Sequence, residues 1–208
     1  MFAVGITMPT IEPHVLSYGI DEEYVGYWYS IYTGAYCTSA LIMTRLNTLP
    51  KQKTMFTGLC LLVIAMLLLG PCPFVFDRNV YMAGVGHHLM GWAISIMYSK
   101  HYLVPLMPYL IEVSHSEYNI PNDDRLNDSV SSIVNIFFCI GEIFGPVIGS
   151  LLPEFYEEGL RYRMTYTITA LFFATYAGVY AITNWVLSRS QKLKNKDEIK
   201  MKLLTKDN

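Results

Sequence analysis

Long apolar runs separated by short polar turns dominate this sequence. Five runs come close to or exceed the roughly 20 residues a helix needs to cross a hydrocarbon core: Val25–Leu46, Thr54–Phe76, Val80–Ile111, Ser129–Leu152 and Met164–Leu187. A sixth, Phe2–Tyr18, is shorter and carries Pro9 and Pro13. A proline-broken span is tolerated where it lines a cavity or packs on neighbouring helices, so it is read as a helix too. Between the runs lie turn-rich segments: 19–24, 47–53, 77–79, 114–128 and 153–163. The pattern predicts an all-α integral membrane protein, a bundle of six transmembrane helices over residues 1–188 followed by a charged tail at 189–208.

Composition agrees with the pattern. Hydrophobic residues make up 52% of the 208 positions and charged residues only 15%, against about a quarter charged in soluble domains. Mean hydropathy is +0.30. Seven of the 15 Lys and Arg residues crowd between Arg189 and Lys206. Arg45, Lys51, Lys53 and Arg125 fall on the same side of the predicted bundle as that tail, whereas Arg78, Arg161 and Arg163 fall on the other. By the positive-inside rule, both termini are cytosolic. The sequon Asn127-Asp128-Ser129 then lies in the cytosol and stays unglycosylated. The amino-terminal stretch lacks the basic region of a secretory signal. The tail mixes Lys with Asp and Glu and reads as a solvated helix end or disordered extension, placed where it can touch anionic lipid. No basic stripe suits a nucleic acid outside the tail. Cys37, Cys60, Cys72 and Cys139 show no pairing or metal-ligand spacing and read as small buried thiols at helix interfaces.

Family resemblance enters with the fifth run. Gly141-Glu-Ile-Phe-Gly145-Pro146-Val-Ile-Gly149 places small residues every fourth position and adds a proline. Such spacing clears one helix face for close approach of a neighbouring backbone, and proline bends the helix nearby. The run resembles the glycine-proline motif of proton-coupled antiporters in the major facilitator superfamily. Gly70-Pro71-Cys72-Pro73, Gly91-Trp92, Pro105 through Glu112, and the stretch from Pro9 through Tyr24-Val25-Gly26 to Tyr36 resemble, in order and spacing, helices seven to twelve of the vesicular amine transporter and drug:proton antiporter branch. The resemblance implies half of a twelve-helix fold. It also exposes departures: the acidic positions of helices ten and eleven in that branch match Tyr98 or Lys100 and Asn135 here, and the basic gating motif is reduced to Arg45, Lys51 and Lys53.

Candidate chemistry is confined to a few polar residues in the apolar runs. Glu142 sits near mid-span, where a carboxylate should face protein or water and desolvation should ease its protonation. Asn135 lies seven residues away on the same face. Glu142 is therefore either the proton-coupling residue or a structural acid beside the glycine face. His87 and His88 could relay protons or bind substrate. Pointing about 100° apart on a helix, they cannot both face a cavity squarely, and the competing role is hydrogen bonding between helices. Their distance from His101 also fits stacked haems, but no partner helix supplies a matching pair. Glu12 with His14 could contact a cationic substrate. The resemblance gives Glu112 a role at the cytosolic gate, together with Arg45, or in a salt bridge. Tyr29, Tyr32 and Tyr36 form one stripe, for packing or for lining a cavity. No metal site, zinc-protease helix, phosphate loop or nucleophile elbow is present, so neither a cofactor nor an enzymatic activity is expected.

These readings converge on a proton-coupled secondary transporter of a small solute, working by alternating access, or part of one. Its expected partners are the lipid bilayer, a small-molecule substrate and a second six-helix half, and not nucleic acid. The alternative is a membrane-embedded structural or regulatory subunit with no transport cycle, or an incomplete half that needs a partner chain.

Overall fold

A computed structural model describes residues 1–43, 45, 51–98, 111, 114–115, 120–121 and 123–204. Among them the regular structure is entirely helical: α1 (Phe2–Leu16), α2 (Val25–Met43), α3 (Lys51–Leu69), α4 (Val80–Tyr98), α5 (Asp124–Leu151) and α6 (Arg161–Leu204). Single 3-10 turns at Glu22–Tyr24 and Leu152–Phe155 lead into α2 and out of α5. Helix α4 packs on both α2 and α3, α3 packs on α6, and α1 packs on α5. Where these meet, Ile11, Val15, Leu62, Met66, Leu69, Met90 and Tyr166 form a sealed core.

Several boundaries differ from those the hydropathy pattern predicts. The third helix ends at Leu69, not Phe76. Gly70 lies so close to Tyr166 that a Cβ there would sit 2.6 Å from its ring, and Pro71 and Pro73 supply no backbone donors to continue the helix. The fifth helix starts five residues before Ser129, because the Asp123 carboxylate accepts from the Leu126 amide at 3.0 Å and caps it. The sixth begins at Arg161 and continues unbroken past residue 189 to Leu204. Residues 99–110, which complete the predicted fourth span and include Lys100 and His101, lie outside the described residues.

Among the described residues two helices, over 124–155 and 161–186, are long and apolar enough by themselves to cross a membrane. Helix α1 has 15 residues, including Glu12 and two prolines, and α3 is a further apolar helix of 19 residues. Prolines 9 and 13 deprive the carbonyls four residues earlier of their helical donors. Tertiary contact compensates by locking α1 in place. The hydroxyls of Thr10 and Tyr166 meet at 2.8 Å, and His14 Nε2 lies 2.8 Å from the Leu69 carbonyl oxygen.

Cysteine placement corrects the expectation of buried thiols. Only Cys72 is buried; Cys37 and Cys139 are exposed and Cys60 is half-buried.

Candidate functional site

Glycine sets the position of α5. A Cβ built on Gly145 would lie 2.8 Å from the Gly5 Cα of α1, one on Gly149 would lie 2.6 Å from the Ile6 carbonyl oxygen, and one on Gly141 would lie 3.0 Å from the Phe2 nitrogen. Side chains at these positions would push the two backbones apart, so only glycine permits this separation. Pro146 belongs to the same contact, since a Cβ on Gly5 would meet its Cδ at 2.9 Å.

With that face held against α1, the remainder of α5 divides in two. Ile133, Phe137, Ile140, Phe144, Val147 and Leu151 form an exposed apolar flank. On the opposite flank Asp128, Ser132, Asn135, Cys139, Glu142 and Ser150 are exposed. At 100° per residue, Asn135 and Glu142 project within about 20° of each other. An acid and an amide thus share a polar stripe along an otherwise apolar helix. Glu142 also interacts electrostatically with the Met1 amino group across the α1–α5 contact.

Helix α1 turns Met8 and Glu12 outward. The Tyr29 hydroxyl of α2 donates to the Met8 carbonyl oxygen at 3.3 Å, and Tyr29 interacts electrostatically with Glu12. Serines and threonines at 30, 33 and 38 expose a further polar strip on α2, each hydroxyl donating to a carbonyl of its own helix. Exposed polar groups are therefore present on α1, α2 and α5, on α2 interspersed with exposed Tyr27, Ile31 and Leu41. On α6 the outward face is chiefly apolar, with Leu171, Phe172, Val179, Ile182 and Trp185 exposed.

Comparison with family models supplies the decisive observation: the model of the Major Facilitator Superfamily matches residues 1–206. The chain belongs to the major facilitator superfamily. It is accordingly an integral membrane protein of a family of transporters rather than enzymes. Comparison with curated proteins and with solved structures returns no match.

In this superfamily member the histidine pair is split. His87 is 2% exposed, enclosed by Trp28 and Tyr32 with ring centres 6.4 and 5.6 Å away. Neither of its ring nitrogens makes a hydrogen bond, and the Trp28 carbonyl faces the ring without reaching bonding geometry. His88 is exposed beside Trp92, at 6.4 Å, and borders an open groove with Ile20, Trp28, Ile31 and Tyr81. Glu12 and His14 face different surroundings. Glu12 faces out, whereas His14 is buried among Tyr18, Tyr162 and Tyr166. Of the tyrosine stripe, Tyr29, Tyr32 and Tyr36 all pack against the core. Arg45 is exposed in the turn after α2, and Glu112 lies outside the described residues. No group of three or more His, Cys, Asp or Glu among the described residues could hold a metal ion.

Two arginines absent from the sequence-level candidates tie down the opposite end of the bundle. Arg163 donates through Nε to the Pro71 carbonyl at 2.7 Å and through Nη2 to that of Phe76 at 2.6 Å. Arg78 donates to the Ser17 carbonyl and lies 4.8 Å from the Tyr18 ring centre. Arg78 satisfies the carbonyl of the α1 C-cap residue, and Arg163 satisfies two carbonyls of the turn between α3 and α4. Their placement beside predicted helix ends is the signal that could have marked them.

Proposed function

We propose that the chain forms one six-helix half of a proton-coupled secondary transporter, with α1, α2 and α5 lining the substrate path and Glu142 carrying the proton. The observation that carries this reading is the exposed stripe of Asn135 and Glu142 on a helix whose opposite flank is apolar. A carboxylate inside a membrane span costs about 2.5–3.5 kcal/mol on insertion scales. Facing lipid it would be a liability; facing a water-filled path it is a group that can gain and lose a proton. A second six-helix half, on the same polypeptide or another, supplies the opposite wall, and rocking of the halves exposes the path alternately. On this reading the six helices lie within the membrane, the four less apolar ones shielded by their neighbours, and the carboxy terminus is cytosolic; Met1, which packs beside Gly141, lies at the depth of Glu142 rather than at the cytosolic surface.

The test is Glu142→Gln in the assembled transporter, reconstituted with a solute that the unaltered protein concentrates under a pH gradient. Glutamine imitates the protonated acid, so uphill accumulation should vanish while solute exchange across the membrane survives. If accumulation persists, Glu142 is an edge residue of the α1–α5 contact and not the coupling group. If accumulation instead vanishes with His87→Gln or His88→Gln, coupling belongs to α4.

A further inference from the structure

Away from the polar face, α3 and α6 enclose an open groove of about 450 Å3, lined by Lys53, Phe56, Thr57, Tyr180, Asn184 and Trp185. We propose that this groove binds an anionic phospholipid, its phosphate held between Lys53 and Arg189 and an acyl chain running along the apolar wall. The proposal depends on membrane insertion, which family membership establishes, and not on the role of Glu142.

Charge and shape point to the same occupant. Lys53 is exposed at the start of the groove, and the Arg189 guanidinium lies 5.2 Å from the Trp185 ring centre. Neither cation has an ion-pair partner among the described residues, and no acidic residue lines the groove. The Asn184 amide and the Trp185 indole add donors suited to phosphate oxygens. The Thr57 hydroxyl is already committed to the Lys53 carbonyl at 2.9 Å. Away from the cations the wall is apolar: Phe56 of α3 and Ala181 and the Trp185 ring of α6 line it, and Phe56 and Trp185 are exposed. The apolar run of α6 ends at Leu187 in the sequence, which sets Trp185 and Arg189 at the depth where aromatic rings and cations meet lipid headgroups. A soluble anion would use the cations alone, whereas a phospholipid uses both ends of the groove.

The experiment places the full chain in phosphatidylcholine nanodiscs and titrates in lipid with brominated acyl chains, which quench nearby tryptophan. Brominated phosphatidylglycerol should reach half-maximal quenching at roughly 30-fold lower mole fraction than brominated phosphatidylcholine, in line with two cations near a membrane surface. Lys53→Gln with Arg189→Gln, both at exposed positions, should abolish that difference. Trp185→Phe should remove most of the excess quenching, and native mass spectrometry should show one retained phosphatidylglycerol lost in the double variant. Equal quenching by the two lipids, or a preference that survives the double variant, overturns the proposal. So does full displacement of phosphatidylglycerol by millimolar inorganic phosphate, which would make this a site for the anion and not for the lipid.

Discussion

The α1–α5 and α2–α4 contacts are both made through glycine, yet they treat polar groups in opposite ways. In the first, Gly5, Gly145 and Gly149 bring two backbones together, and the acid and amide of α5 are left on the open side. In the second, Gly91 abuts the Tyr32 carbonyl oxygen, 2.5 Å from where its Cβ would be, and the polar groups are shut inside. His87, Ser39 and Ser95 are all buried, and none of their side-chain polar atoms has a hydrogen-bond partner. An ionisable residue in a membrane helix can therefore serve two distinct ends. On the exposed stripe Glu142 lies on the side of α5 proposed to meet water. Within the α2–α4 contact the His87 imidazole is enclosed with no hydrogen-bond partner.

The sharpest way to break this contrast is to remove the space that permits the first contact. Gly145→Leu forces a side chain into the α1 backbone and should abolish most folded, detergent-stable yield. Gly178→Leu, on α6 with open space around it, should leave yield within error of the unaltered protein. Equal yields, measured by fluorescence-detected size exclusion, would show that the α1–α5 approach does not hold the fold together.

A smaller effect probes the second contact. An unsatisfied buried polar group costs about 1–3 kcal/mol. His87→Leu, similar in bulk, should therefore preserve or raise thermal stability, while His87→Asn should lower it. A loss of stability with leucine matching that with asparagine would mean that the imidazole is bonded after all.

Smaller again is the link between α1 and α6. Tyr166→Phe deletes the hydroxyl that meets Thr10 at 2.8 Å and leaves Thr10 its bond to the Ile6 carbonyl at 2.8 Å. It should cost about 1 kcal/mol, read as a modest drop in melting temperature, with no drop expected from Thr175→Val on the exposed face of α6. The smallest expected effect is none: Asn127→Gln should leave the apparent mass in eukaryotic membranes unchanged, because the proposed topology puts the start of α5 in the cytosol. A glycosidase-sensitive shift lost in that variant would invert the orientation and place the Lys53 end outside the cell or in an organelle lumen.

Helix content and the small-residue spacing of α5 were legible in the residues, since both depend on local periodicity. Helix ends were less so. The stop at Leu69 depends on Tyr166 lying against Gly70, a contact between residues far apart in the chain. Arg163 and the Pro71 carbonyl are likewise 92 residues apart, and nothing local to either marks the bond. Adjacent histidines carry the same chemistry in the sequence, and only packing of α4 on α2 decides that His87 is enclosed and His88 open. Asn135 and Glu142 could be assigned to one face from their spacing. That this face is the outward one follows from the glycines beside it, which turn the other side of α5 toward α1.

Whether the stripe on α5 meets water is the point on which the functional reading rests, and cysteine accessibility measures it directly. In a background with Cys37, Cys60, Cys72 and Cys139 replaced by serine or alanine, single cysteines at Asn135, Glu142, Phe137 and Phe144 would be challenged in intact membranes with a charged maleimide. Cysteines replacing Asn135 and Glu142 should react, and those replacing Phe137 and Phe144 should not. Reaction at all four, or at the phenylalanine positions alone, would contradict a water-lined path along α5.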